Sequence, residues 1–172
     1  MDSKKQGLVS IGIPTYNRAP LLRRAVDSLL GQTYKNFELI ISDDGSTDDT
    51  QKLCEDYASR DQRIRYIRHP INIGHVVNFE FVVRQARGKY FMWGGDDDLW
   101  GKEFIEKLLG AFLQNPEAKL AVSSYQRVYD NGEVCSTTFL KEKEDLNQMS
   151  RGELCKKVFS SKYSVKHFMY GI

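Results

Sequence analysis

The sequence predicts an α/β fold: a mostly parallel sheet flanked by helices, with an antiparallel hairpin towards the C-terminus. Three observations lead there. Short apolar runs rich in β-branched residues alternate with segments whose apolar residues recur at helical spacing. Two acidic clusters, Asp43-Asp44 and Asp96-Asp97-Asp98, fall where two of the strand-like runs stop. Asp130-Asn131-Gly132 is a hairpin turn signal between two later strand-like stretches. Such alternation builds parallel strands through right-handed crossovers and leaves ligands at the carboxyl ends of the strands.

Leu8 to Pro14 reads as a buried strand, ended by Pro14, which lacks a backbone donor. Leu21, Leu22, Ala25, Val26, Leu29 and Leu30 share one helix face, opened near Pro20 and stopped by Gly31. A second strand, Phe37 to Ser42, runs into the acidic turn DDGSTDDT, followed by a helix from about Asp48 to Arg60 and a strand Ile64 to Arg68. A polar loop at His69 to His75 leads to a helix over Val76 to Ala86. The strand Lys89 to Trp93 then delivers the chain to the acidic triplet, with Trp93 near the pocket mouth. Phe104, Ile105, Leu108, Leu109 and Phe112 mark the next helix. Lys119 to Val128 reads as a fifth strand, turned back into Glu133 to Phe139. Lys141 to Gln148 reads as a charged loop, Met149 to Phe159 as a helix opened by Ser150 with Glu153 three residues later, and Ser164 to Ile172 as a last strand.

A chain of 172 residues, 41% hydrophobic and 12% aromatic, suits a single domain spanning 1–172. The 25 lysines and arginines barely exceed the 23 aspartates and glutamates, so no global field favours nucleic acid and no such partner is expected. The run LVSIGIP is too brief for a signal peptide or a membrane span, which points to a cytoplasmic protein. Cys54, Cys135 and Cys155 are odd in number and lack a C-x-x-C pair, as expected of reduced, structural thiols. His69, His75 and His167 are scattered and read as loop or packing residues.

Three adjacent carboxylates repel one another unless a cation or polar ligand offsets them. Mg2+ or Mn2+ takes carboxylate oxygens and keeps positions for substrate phosphates. In an extended segment Asp96 and Asp98 share a side and Asp97 points elsewhere, unless the turn twists, so spacing leaves the direct ligand open. The bland alternative is a solvated turn whose Asp98 caps the following helix. Trp93-Gly94-Gly95 weighs against it by bringing bare backbone within reach of a ligand. Asp43-Asp44-Gly45-Ser46 serves equally as a turn in which Ser46 or Thr47 caps the second helix, or as an edge carboxylate accepting from a base N–H or ribose hydroxyls. Both readings can hold together.

PTYNR after the first strand, DDGSTDDT after the second, NIG before the third helix, ARGKY entering the fourth strand and GGDDDLW after it run in order from about Val9 to about Tyr129. Together they resemble the inverting family 2 glycosyltransferases, whose fold is the nucleotide-sugar-binding GT-A architecture. The resemblance implies transfer of a sugar from a nucleoside-diphosphate sugar, a UDP-sugar in the first instance, to a glycan or lipid-linked acceptor with inversion. It implies Mn2+ or Mg2+ as cofactor, a setting in surface polysaccharide biosynthesis, and peripheral association with the inner face of a membrane. Residue by residue, it implies that Pro14, Thr15 and Tyr16 line the nucleobase pocket and that Asp44, with Asp43 beside it, recognises the base. It places Asp96 near the ribose or metal, and makes Asp97, with Asp98, the metal-binding residues. The same resemblance places the first strand between the second and fourth, which would bring Thr15, Asp44 and Asp97 around one crevice.

The chain departs from the family pattern in two places. Many relatives carry Asp-Ala-Asp-Asp, and Gly95 stands where their first aspartate lies. Many carry arginine before the asparagine of the third helix, where this chain has Val77 before Asn78, leaving the diphosphate to Arg18, Arg84, Arg87 or the metal. The family's catalytic base is an aspartate well downstream, and the chain ends about where that region begins. Asp130, Glu142, Glu144 and Asp145 read as turn or solvated loop and none is nominated. Two expectations follow: a transferase domain lacking part of its acceptor-binding half, or a nucleotide-sugar-binding module inactive on its own. A phosphotransfer or phosphatase domain would place an acidic nucleophile after the first strand, where Thr15-Tyr16-Asn17 stands.

Overall fold

The computed structural model describes residues 7–129, 133–138 and 168–171. In chain order the elements are β1 (Val9–Thr15), α1 (Ala19–Leu30), β2 (Phe37–Asp43), α2 (Thr50–Arg60), β3 (Ile64–Arg68), α3 (His75–Gln85), β4 (Tyr90–Trp93), α4 (Phe104–Gln114), β5 (Leu120–Val122), β6 (Tyr125–Val128), β7 (Val134–Thr138) and β8 (Phe168–Gly171). The main sheet has the order β3-β2-β1-β4-β8-β5. Its first four strands are mutually parallel, and β8 runs antiparallel between β4 and β5. The chain leaves β1 for β2 and β3, then crosses to the far side of β1 for β4. The direction of winding reverses at β1, which makes the carboxyl end of that strand the place for a crevice.

The central strands β1, β2 and β4 are near-continuous apolar runs whose successive side chains enter opposite faces of the sheet, and both faces are covered. Val9, Ile11 and Ile13 of β1 join Leu39, Ile41 and Met92 in the main core, under Leu22, Val26 and Leu29 of α1 and Ile105 and Leu109 of α4. Ile40 and Phe91 point the other way, onto Val82 of α3. Complete burial of Leu22 and Leu29 stabilises the α1 layer by about 2 kcal/mol each. On the α3 face, Gly12 permits close approach: a Cβ there would stand 2.8 Å from Val82 Cγ2. Helix α1 opens with a proline in its first turn and closes at Gly31, whose N–H donates to the Asp27 carbonyl.

One expectation is corrected. The run Lys119 to Val128 is not a single strand: β5 pairs with β8 in the main sheet, while β6 pairs with β7 in a separate two-stranded sheet. Ser123 and Ser124 separate the two, bringing no large apolar side chain that would hold the run in one sheet. The turn at 130–132, the charged loop at 141–148 and the helix at 149–159 lie outside the described residues, as do Cys155 and His167.

Candidate active site

Thr15 ends β1 directly beside Asp43 of β2 and joins the two acidic turns. Its carbonyl accepts from the Asp44 backbone N–H at 2.9 Å, and its hydroxyl donates to Asp96 Oδ2 at 2.9 Å. On the other side Gly94 N–H donates to the Gly12 carbonyl at 2.9 Å, which extends the pairing of β4 with β1 and carries Asp96 towards Thr15. The carboxyl ends of β1, β2 and β4 thus present both acidic clusters on one edge.

The DDGSTDDT turn is tied in from within. Asp43 is fully buried; Oδ1 accepts from Ser46 N–H at 2.8 Å, Oδ2 accepts from the Tyr66 hydroxyl at 2.7 Å, and Arg68 Nε lies 3.6 Å from Oδ2. Burial, together with the Asp43 charge, pushes the Tyr66 phenol well above its ordinary range. Asp44, 3% exposed, accepts from Ile73 N–H at 2.7 Å and Gly74 N–H at 3.2 Å, so it fastens the loop that leads into α3. Asn17, at φ 53°, receives Thr47 N–H at 2.7 Å and donates its own N–H to Ser46 Oγ.

Asp48 was not singled out from the sequence, yet its carboxylate serves two helices. Oδ2 accepts from Ala19 N–H at the start of α1 at 3.1 Å, and Oδ1 from Thr50 N–H at the start of α2 at 3.0 Å. Partial burial acts to raise its pKa, but the bonds from Thr50 and Ala19 outweigh it and hold the group below the ordinary carboxylate range. The expected cap from Ser46 or Thr47 is replaced by this one.

The GGDDDLW segment is built differently. Residues 96 and 97 form a turn in which Asp98 N–H donates to the Gly95 carbonyl at 3.4 Å, and this turn overrides strand alternation. Asp96 and Asp97, rather than Asp96 and Asp98, meet at a common partner: Arg18 Nη1 lies 3.3 Å from Asp96 Oδ1 and 3.1 Å from Asp97 Oδ2. The Asp96 side chain is 13% exposed, Asp97 is 42% exposed and Arg18 is 47% exposed. Burial raises the pKa of Asp96, aided by the Asp97 charge and opposed by Thr15 and Arg18. Asp98 turns back over Gly95, where an added Cβ would lie 2.2 Å from Asp98 Oδ2. Gly95, the departure from the family pattern, thus leaves room for the Asp98 side chain in this position. Asp98 does not cap α4: that helix starts at Phe104, and Gln32 Oε1 accepts from Ile105 N–H at 3.1 Å. Gln32 Nε2 also donates to the Gly101 carbonyl at 2.7 Å and the backbone N–H of buried Trp100 donates to Ser28 Oγ, so the segment is moored to the end of α1.

Among the other sequence candidates, Pro14 is buried in β1 and Tyr16 is 45% exposed at the edge. Arg84 pairs with Glu80 on the outer side of α3. Arg87 donates its N–H to Glu38 and Ser10, in the amino-terminal halves of β2 and β1, at the opposite end of the sheet from the acidic turns. Asn78 is buried: its amide donates to the Ser42 carbonyl and accepts from Ser42 Oγ, while His69 Nε2 lies 3.0 Å from that hydroxyl. His69 and His75 pack edge-on against Phe81 and Phe79. Trp93 donates Nε1–H to the Phe79 carbonyl and meets Phe91 edge-on, on the α3 side of the sheet. Cys54 is buried and its thiol pushed up to about 12, an inert core residue, and Cys135 is a free, exposed thiol.

Among the described residues no group of three or more His, Cys, Asp or Glu is placed to hold a metal ion. Asp96 and Asp97 do converge on one cationic group, Arg18, and offer hard oxygen donors. One or two carboxylates, completed by phosphates and water, is the set that Mg2+ or Mn2+ takes.

A mostly parallel sheet with acidic turns gathered at its switch-point edge defines a GT-A type α/β domain. The chain belongs to the family described as Glycosyl transferase family 2, which matches residues 10–163. It is 40% identical over 124 residues to an uncharacterized glycosyltransferase of Rickettsia felis, covering 72% of this chain and 20% of that protein. It is 30% identical over 126 residues to glycosyltransferase GlyG of Streptococcus pneumoniae, covering 73% of this chain and 41% of that one. Mannosyltransferase PcManGT from Pyrobaculum calidifontis, solved in complex with GDP-Man and Mn2+, is similar at TM-score 0.61 and 25% identity over 73% of this chain and 37% of that chain. S. aureus TarS 1-349 in complex with UDP shares the fold at TM-score 0.71 and 20% identity, over 95% of this chain and 46% of that chain. The chain thus spans less than half the length of each of these relatives.

Proposed function

We propose that this chain carries the donor site of a metal-dependent transferase that moves a sugar from a nucleoside-diphosphate sugar, most simply a UDP-sugar, to a glycan or lipid-linked acceptor with inversion, in surface polysaccharide biosynthesis. The observation that carries the reading is the double engagement of Thr15, which holds both acidic turns on one edge of the sheet. Pro14, Thr15 and Tyr16 form the floor and rim for the base, with the exposed Tyr16 ring free to pack on it. Asp43 is enclosed and acts by shaping the turn. Asp44 is held by two backbone donors and retains lone pairs that can accept a base N–H. Asp96, pinned by Thr15, faces the ribose. Asp97, the more exposed of that pair, would hold Mn2+ or Mg2+, with Asp98 in the same turn.

The ion, when bound, supplies positive charge against the negative charge that develops on the departing diphosphate. The chain's own residues orient the nucleotide on the edge and, through Arg18, add a guanidinium fork suited to phosphate. The acceptor's proton would pass to an aspartate downstream of this site, and no described residue is assigned that role. Family membership supports a transferase over a free-standing binding module. The Thr15-Tyr16-Asn17 turn after β1 offers no carboxylate nucleophile, which weighs against a phosphatase. No helix among the described residues is long and apolar enough to cross a membrane, and peripheral association at the inner membrane face belongs to the same proposal.

The test is calorimetric titration of UDP, then GDP, with and without Mn2+, on the wild type and Asp97→Ala. Mn2+-dependent UDP binding that the variant loses is the expected result. Tighter binding of GDP would change the base assignment. A folded sample that binds neither nucleotide would overturn the donor-site reading.

A further inference from the structure

We propose that Arg18 is an exchangeable internal cation: it neutralises Asp96 and Asp97 until a nucleoside diphosphate draws it away, so that divalent metal and diphosphate bind as a coupled pair. This rests on the donor-site reading above and adds a positioning residue to it. Arg18 Nη1 bridges the two carboxylates, 3.3 Å from Asp96 Oδ1 and 3.1 Å from Asp97 Oδ2, while Thr15 holds the remaining oxygen of Asp96. A divalent ion taking these oxygens at roughly 2.1 Å would need the lone pairs that Arg18 uses, and would stand against a guanidinium of like charge. Metal and Arg18 therefore compete for Asp96 Oδ1 and Asp97 Oδ2.

The side chain is able to leave. It is 47% exposed, and the structural duty of this residue, accepting Leu22 N–H in the first turn of α1, is performed by its backbone carbonyl. Once released, its planar fork matches phosphate oxygens, and the diphosphate is the anion that the metal brings to the same edge. Each ligand thus removes an obstacle to the other, and the coupling must be reciprocal.

Free Mn2+ counted by electron paramagnetic resonance, with and without saturating UDP, tests this on the wild type, Arg18→Ala, Arg18→Lys and Arg18→Ala/Asp97→Asn. In Arg18→Ala, Mn2+ alone should bind about 5- to 10-fold more tightly, UDP with Mn2+ should bind about 10-fold more weakly, and the gain in Mn2+ affinity on adding UDP should shrink. Arg18→Lys should keep the weak affinity for Mn2+ alone, because a charge remains, without restoring UDP affinity, because the fork is gone. The double variant should lose the tightening, which ties it to Asp97. Unchanged or weaker binding of Mn2+ alone in Arg18→Ala, with UDP binding intact in the wild type, would overturn the role of Arg18 and leave the donor site standing. A wild type that binds no UDP with Mn2+ would remove both.

Discussion

The two acidic turns of this protein share an edge of the sheet but are built to opposite rules. In DDGSTDDT the first two carboxylates are buried and tied into the fold, Asp43 by Ser46, Tyr66 and Arg68 and Asp44 by Ile73 and Gly74, while the exposed Asp48 is fixed by the first turns of two helices. In GGDDDLW the Asp96 side chain is 13% exposed, while Asp97 is 42% exposed and is held by an exposed arginine rather than by backbone donors. The first turn is chiefly a scaffold that joins β2 to the starts of α1, α2 and α3, and the second keeps a carboxylate accessible at the edge. Acidic residues of similar appearance in sequence therefore differ in what their removal would do.

The largest contrast is expected between Asp43→Ala and Asp97→Ala. Removing Asp43 leaves the Tyr66 hydroxyl and Ser46 N–H without their acceptor and takes a counter-ion from the solvent-accessible Arg68, a loss of about 2 to 3 kcal/mol. Asp97 is 42% exposed and its pairing with Arg18 is solvated, so its removal should leave stability within about 0.5 kcal/mol. Urea unfolding of both variants measures this. Equal losses would mean that the second turn is as structural as the first.

A smaller effect separates the backbones of the two turns. Gly95→Ala places a Cβ 2.2 Å from Asp98 Oδ2, so the Asp98 side chain must move. That carboxylate is the far end of a short side chain, and the expected cost is about 1 to 2 kcal/mol of stability. Asp98→Ala should relieve it in the double variant, which a double-mutant cycle by urea unfolding would read as coupling between the two positions. Additive losses would place the strain in the backbone at residue 95.

The order of strands and helices was legible because the strands are short and flanked by turn residues, and the central β1 and β2 are buried throughout, so strand and helix patterns separate cleanly along the chain. Ile64–Arg68 was read residue for residue, and the convergence of both acidic turns on one edge follows from parallel topology alone. Three features were not legible. Ser123-Ser124 gave no Gly or Pro punctuation, so a run that changes sheets looked continuous. Asp48 sat in a stretch where Ser46, Thr47, Asp48 and Asp49 are all good caps, and its second partner, Ala19, is far away in sequence. Arg18 could be named as a phosphate candidate, but its bridge across Asp96 and Asp97 depends on a turn that breaks the alternation from which side-chain direction was read.

The smallest expected effect is also the one that most sharply separates the turns, because their carboxylates respond to pH with opposite sign. Asp48 has its pKa lowered by the fold, so its contribution is present above the unfolded value and is lost as pH falls through the folded one. Asp96 has its pKa raised, so its proton is favoured by folding: its contribution is present below the unfolded value and is lost as pH rises through the folded one. Asp48→Ala should cost about 1 kcal/mol at neutral pH, the usual worth of a helix cap, and the cost should fade on acidification. Asp96→Asn should run the other way, slightly stabilising at neutral pH and indifferent in acid, because the isostere keeps an acceptor for Thr15 and removes a charge that the site disfavours. Unfolding midpoints of both variants between about pH 3 and pH 7 check the signs, and a common sign would mean that Arg18 compensates Asp96 as completely as Ala19 and Thr50 compensate Asp48.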